Sequence, residues 1–113
     1  MSESDSPKPL TAVVFHVLLA LAEGPKHGYA VSSAVEEASR GSVRMGPGTL
    51  YGSLQRMESA GLVAEAGDVE SDASHEDRRR YYELTAEGRA ALEAEAARLA
   101  HAVTVARASR VLG

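Results

Sequence analysis

Gly46-Pro47-Gly48-Thr49-Leu50-Tyr51-Gly52-Ser53-Leu54-Gln55-Arg56-Met57-Glu58-Ser59-Ala60-Gly61 is the stretch on which the fold of this 113-residue chain turns. Proline in the first turn of a helix gives up no hydrogen bond, and glycine just past the end adopts the left-handed conformation freely. The segment is therefore expected to be a helix running to about Ala60. At 3.6 residues per turn Leu50, Leu54 and Met57 share the inward side, while Gly48, Gly52, Gln55 and Ser59 point outward and Thr49, Tyr51 and Arg56 flank them. A helix about 10 to 12 Å thick fits the major groove of B-DNA, where arginine suits guanine and glutamine suits adenine. Taken alone, the same pattern describes any solvated helix face with a turn at its start, so the neighbouring segments decide.

Upstream, Leu10, Val13, Val14, Val17, Leu18 and Leu21 follow helical spacing, and Phe15, Leu19 and Ala22 add a second apolar stripe. A helix apolar on both sides needs cover on both, which one small domain can hardly supply, so a second copy of the chain is implied. Glu23-Gly24-Pro25 stops this helix. A second helix is expected from about His27 or Gly28 to Ala38, with Val31, Ala34, Val35 and Ala38 inward. Arg40-Gly41 ends it, and Ser42-Val43-Arg44-Met45 reads as a short strand before the third helix.

Downstream of Gly61 the period falls to two. Leu62 to Ala66 and Arg80-Tyr81-Tyr82-Glu83-Leu84 read as the strands of a hairpin around the polar loop 68–77. Thr85 stands as the N-cap of a last helix, its hydroxyl placed to accept from the amide of Gly88. That helix is expected from about Ala86 to Val111, with Leu92, Ala96, Leu99, Val103, Ala106 and Arg110 in one narrow packing stripe. The fold class is thus mainly α with a small β-hairpin: a polar tail (1–9), a winged helix-turn-helix domain (10–84) and a long C-terminal dimerisation helix (85–113).

Composition narrows the function. The absence of cysteine removes disulfides, thiol nucleophiles and cysteine zinc sites, and fits a reducing, cytoplasmic setting. Residues 1–9 lack the basic-then-apolar order of a secretory signal, and the longest apolar run, Leu10 to Ala22, falls short of the ~20 residues of a membrane span. The net charge of −4 runs against a uniformly basic nucleic-acid binder, but the charge is unevenly spread. Glu65, Asp68, Glu70, Asp72, Glu76 and Asp77 crowd the hairpin, whereas Lys26, Arg40, Arg44, Arg56 and Arg78, Arg79 and Arg80 fall around the outward face of the third helix and the returning strand. From a hairpin tip, cationic side chains reach phosphates or the minor groove; read blandly, the same arginines neutralise the acids beside them. His75, Glu76, Asp77 and Asp72 do not make a convincing metal or acid/base site, since catalytic groups need a rigid, partly buried setting. Gly46-Pro47-Gly48 lacks the Gly-Lys-Ser/Thr of a nucleotide-binding loop. No cofactor, metal or enzymatic activity is expected. His16 is expected to be packed rather than liganding, and His27 to cap the second helix or touch DNA.

His27-Gly28-Tyr29-Ala30-Val31, then Gly48-Thr49-Leu50-Tyr51, Leu54, Met57-Glu58, Gly61-Leu62-Val63 and Arg80-Tyr81-Tyr82-Glu83-Leu84-Thr85-Ala86-Glu87-Gly88-Arg89 resemble, in order and spacing, the signature blocks of PadR regulators, over about Leu10 to Leu99. The resemblance implies a regulator, most simply a repressor, that dimerises through its first and last helices and places two recognition helices on a palindromic operator. It carries Tyr29, Thr49 and Tyr51 to positions near DNA, and Arg79 and Arg80 to the basic wing strand. Gly52 departs from the proline common in the family, and glycine weakens an exposed helix turn by roughly 1 kcal/mol relative to alanine. The expected DNA-facing set is Lys26, His27, Tyr29, Arg44, Gly48, Thr49, Tyr51, Gly52, Gln55, Arg56 and Arg78 to Arg80. The expected dimer interface is Leu10, Val14, Phe15, Leu19, Leu92, Ala96, Leu99, Val103 and Ala106. Some relatives resemble small-molecule sensors with an aromatic-lined cavity between subunits. With no tryptophan and one phenylalanine, Phe15 and the alanine-rich last helix are expected to pack closely instead, leaving an effector of unknown identity as the alternative. A winged-helix module that binds a protein rather than DNA is the rival reading of the whole.

Overall fold

The computed structural model describes residues 9–66 and 80–113. Its elements are α1 (Ala12–Leu21), β1 (Lys26–His27), α2 (Gly28–Ala38), α3 (Pro47–Ser59), β2 (Val63–Glu65), β3 (Tyr81–Leu84) and α4 (Ala86–Ala108). Local chemistry sets most of the boundaries. Thr11 caps α1 by accepting from the Val14 amide at 3.1 Å, and the His27 Nδ1 caps α2 by accepting from the Ala30 amide at 3.3 Å. Pro47 opens α3, and Gly61, with φ of +83°, closes it as the sequence leads one to expect.

The core lies where α1, α2, α3 and the sheet converge. Val17, Leu18 and Leu21 of α1 meet Val31 and Val35 of α2, Leu50, Leu54 and Met57 of α3, and Val63 and Tyr82 of the sheet. The sheet has three strands in the order β1-β3-β2, all antiparallel neighbours. Lys26 pairs with Tyr82 and His27 with Tyr81; on the other side Val63 pairs with Leu84 and Glu65 with Tyr82. This corrects the expected order. The short strand precedes α2, and residues 42–45 are irregular, with the Val43 amide donating to the Ser39 hydroxyl at 3.0 Å rather than to a neighbouring strand. Two residues are too few to show a period of two, so β1 left no pattern to read.

α3, β2, β3 and α4 meet at one joint. Thr85 accepts from the Gly88 amide at 2.9 Å, its hydroxyl donates to the Gly61 carbonyl at 2.6 Å, and its own amide donates to the Leu62 carbonyl at 3.1 Å. Gly88 lies so close to Leu62 that a Cβ there would stand 2.9 Å from the Leu62 carbonyl carbon. The position has no room for a side chain.

α4 spans 23 residues, about 34 Å at 1.5 Å per residue. Among the described residues, its own domain holds only its first half, through buried Gly88, Leu92 and Glu95. The Glu95 carboxylate takes the Leu10 amide at 3.3 Å and the Arg98 guanidinium at 2.6 Å, so it fastens the start of α1 to α4. The hydrogen bond from Arg98, helped by the Leu10 amide and the Arg98 charge, holds the carboxyl below its usual range against the opposing effect of burial. Beyond Glu95 nearly every residue of the helix is exposed. The helix ends at Ala108, earlier than expected: Arg110 takes a φ of +66° and the Val111 amide turns back to the Ala106 carbonyl at 2.9 Å, which takes Arg110 out of the helical stripe.

Candidate nucleic-acid interface

α3 presents the face its sequence foretells. Leu50, Leu54 and Met57 are buried beneath it, and Gly48, Thr49, Tyr51, Gln55 and Arg56 lie outward with Gly52 half-buried among them. Ser53, not singled out from sequence, is buried at the edge of this face and accepts from Arg56 Nη2 at 3.3 Å.

The start of α2 adjoins this helix through a specific contact. The Tyr51 ring lies directly over Gly28, and a Cβ at Gly28 would stand 2.6 Å from the Tyr51 Cζ. Tyr51 remains 42% exposed, so its outer edge is open to a ligand while its inner edge is seated on α2. Beside it, Tyr29 is 73% exposed and stacks nearly parallel to His27, which Tyr81 of β3 meets edge-on at 5.5 Å. Tyr29, His27 and Tyr81 thus form one aromatic group joining the start of α2 to the wing strand.

The expected cations divide. Lys26 pairs with Glu23 at 3.4 Å, Arg44 with Glu36 at 3.4 Å, and Arg80 with Glu65 across the hairpin at 3.3 Å. Arg56 has no carboxylate partner among the described residues; it bonds Ser53 instead. The Arg44 and Arg80 pairs are exposed, and such pairs contribute about 0 to 1 kcal/mol, so a phosphate can displace their carboxylates at little cost. Arg78, Arg79 and the His75-Glu76-Asp77 cluster lie outside the described residues. His16 packs edge-on against Phe15, with its Nδ1 2.8 Å from the Ala12 carbonyl.

The expected interface between chains also divides. Leu92 is 5% exposed and belongs to the core of its own domain, where it meets α1; it is not available to a partner. Leu10, Val14 and Phe15 are partly buried against that core, whereas Leu19, Ala96, Leu99 and Val103 are exposed.

A helix-turn-helix of α2 and α3, braced by α1 and flanked by a β2–β3 hairpin, defines the winged-helix class. Within that class, residues 17–94 match the Transcriptional regulator PadR-like family. The chain belongs to this family, whose members regulate transcription and are not enzymes. It is 42% identical over 82 residues to the Transcriptional regulator Rv3488 of Mycobacterium tuberculosis, covering 72% of this chain and 69% of that one. It is 45% identical over 80 residues to an uncharacterized 37.1 kDa protein in transposon TN4556 of Streptomyces fradiae; the match takes in 71% of this chain and only 21% of that protein. Among solved structures, a PadR family transcription regulator from Clostridium difficile R20291 superposes with a TM-score of 0.70 at 26% identity, over 91% of this chain and all of the other. Bacillus subtilis PadR in complex with operator DNA shares the fold, with a TM-score of 0.62 at 19% identity, over 76% of this chain and 47% of the other. No helix among the described residues is long and apolar enough to cross a membrane.

Proposed function

We propose that this protein is a homodimeric, sequence-specific repressor that lays α3 of each subunit in successive major grooves of a palindromic operator. The observation that carries the reading is the two-sided character of α3: Leu50, Leu54 and Met57 lock one side into the core, and the other offers Thr49, Tyr51, Gln55 and Arg56 to the outside. The family supports regulation, and the operator complex of Bacillus subtilis PadR supports a duplex as the target.

Dimerisation rests on α4. Among the described residues, those at 96–108 form a largely exposed helical arm, and Leu99 and Val103, 40% and 41% exposed, lie along one side of it. A helix of that length is marginal in water unless its apolar side is covered, and a second copy of α4 supplies that cover. Paired in this way, the two α3 helices stand about 34 Å apart, one turn of DNA. Lys26, Arg44 and Arg80 exchange their carboxylate partners for phosphates and set affinity, while α3 sets sequence.

Selection of bound duplexes from a genomic library, followed by titration at several salt concentrations, tests the proposal. With about six phosphates neutralised per dimer, log affinity falls with log salt at a slope near −5. A monomer at micromolar concentration, or binding indifferent to both sequence and salt, would refute it.

A further inference from the structure

We infer that Arg56 is the side chain through which each subunit recognises a guanine, and that Gly52 and Ser53 aim it. This rests on the operator-binding reading above. Side chains on a helix lean back toward its N-terminus, so Arg56 reaches over the residue one turn earlier. That residue is Gly52, and Arg56 Nη1 lies 3.6 Å from the place a Cβ would occupy there. The guanidinium therefore rests along the helix surface in space that a side chain longer than a methyl would fill. Nη2 donates to the buried Ser53 hydroxyl at 3.3 Å, which fixes the rotation of the fork.

Three features set this arginine apart from the other cations of the interface. It lies on α3 itself, within the outward face. It makes no ion pair among the described residues, whereas Lys26, Arg44 and Arg80 are each held by a carboxylate. Its planar fork is also held at Nη2 only, and the donors on Nη1 have no hydrogen-bond partner among the described residues. A guanidinium positioned in this way matches the N7 and O6 acceptors that guanine alone presents side by side in the major groove. Gly52 and Ser53 are positioning residues: neither needs to touch DNA, yet both determine where the fork lies.

The test uses the full chain and an operator obtained by selection from random duplexes, in which each guanine is replaced in turn, in both half-sites, by 7-deazaguanine. That base keeps its Watson–Crick pairing and loses the N7 acceptor. Wild type should lose on the order of tenfold in affinity at one guanine per half-site. Arg56→Lys keeps the charge and loses the fork, so it should bind more weakly, retain its salt slope and become indifferent to that replacement. Ser53→Ala and Gly52→Leu should shrink the penalty to less than about threefold, again at unchanged salt slope. If Gly52→Leu fails to fold, Ser53→Ala carries this arm. A deazaguanine penalty that is absent from wild type, or equal in wild type and Arg56→Lys, overturns the assignment of Arg56 while leaving operator binding intact. A full penalty in Ser53→Ala overturns the positioning role. A protein that selects no duplex overturns both this inference and the reading beneath it.

Discussion

Replacing Gly28 by alanine should separate binding from folding. The new methyl would stand 2.6 Å from the Tyr51 Cζ and 2.9 Å from its Cε1, distances that a real side chain does not tolerate. Something must move, and the ring can: it is the far end of a flexible side chain with its outer edge already exposed. Alanine also favours a helix over glycine by up to about 1 kcal/mol, which offsets the cost of turning the ring out. Net stability should therefore stay within about 1 kcal/mol of wild type. Binding should not. If Tyr51 donates one hydrogen bond to DNA from its seated position, losing it costs about 1 kcal/mol per subunit and about 2 kcal/mol per dimer, roughly 30-fold in affinity. Thermal melting and fluorescence anisotropy with the selected operator measure the two quantities, and Tyr51→Phe should reproduce the affinity loss. A Gly28→Ala protein with wild-type melting and wild-type affinity would refute the functional role of the Tyr51–Gly28 contact.

Gly88→Ala should do the reverse, because its methyl meets the Leu62 backbone, which cannot rotate away: about 1 to 3 kcal/mol of stability is lost, seen in denaturant titration, with affinity retained at temperatures where the protein stays folded. Thr85→Ala removes the cap of α4 together with the bond to Gly61 and should cost about 1 to 2 kcal/mol in the same titration. Leu99→Glu combined with Val103→Glu should shift the protein from dimer to monomer in light scattering and abolish operator retention, while the near-ultraviolet signature of the winged domain persists. Glu95 has its carboxyl held below the ordinary range, so its stabilising effect is fully present above the unfolded value of ~4.3 and is lost as pH falls through the lowered folded value. Glu95→Gln should therefore lower the melting temperature at neutral pH and narrow the gap from wild type as the solution is acidified below pH ~4.

What the sequence made legible is what local chemistry decides. The inward and outward sides of α3, the glycine stop at Gly61 and the Thr85 cap each depend on residues within a turn or two of one another, and each stands where spacing puts it. Long-range pairing was not legible. β1 exists only because β3 runs beside it, and its two residues carry no period. Leu92 fits the stripe of α4 as well as Leu99 does, and only the position of α1 decides that one is core and the other exposed. Glu95 looks like any solvated acid of a helix, yet its partner, the Leu10 amide, lies 85 residues away. Within the candidate site, residue types pointed to α3 and to the cations, but the seat of Tyr51 on Gly28 and the bond between Ser53 and Arg56 depend on side-chain directions that a sequence does not display.

The joint at Thr85 has a mechanical consequence. It bonds the residues that follow α3, Gly61 and Leu62, to the cap of α4 at two points and adds a backbone contact at Gly88, so the helix that would pair two subunits is tied directly to the end of the helix that would enter the groove. Such an elbow is stiff, so a tilt introduced anywhere along the arm arrives undiminished at the other side. Across a lever about 34 Å long, a tilt of about 5° displaces the far end by about 3 Å. That distance is nearly one base-pair step, so a small change in how two arms cross would be enough to put both recognition helices out of register with their half-sites.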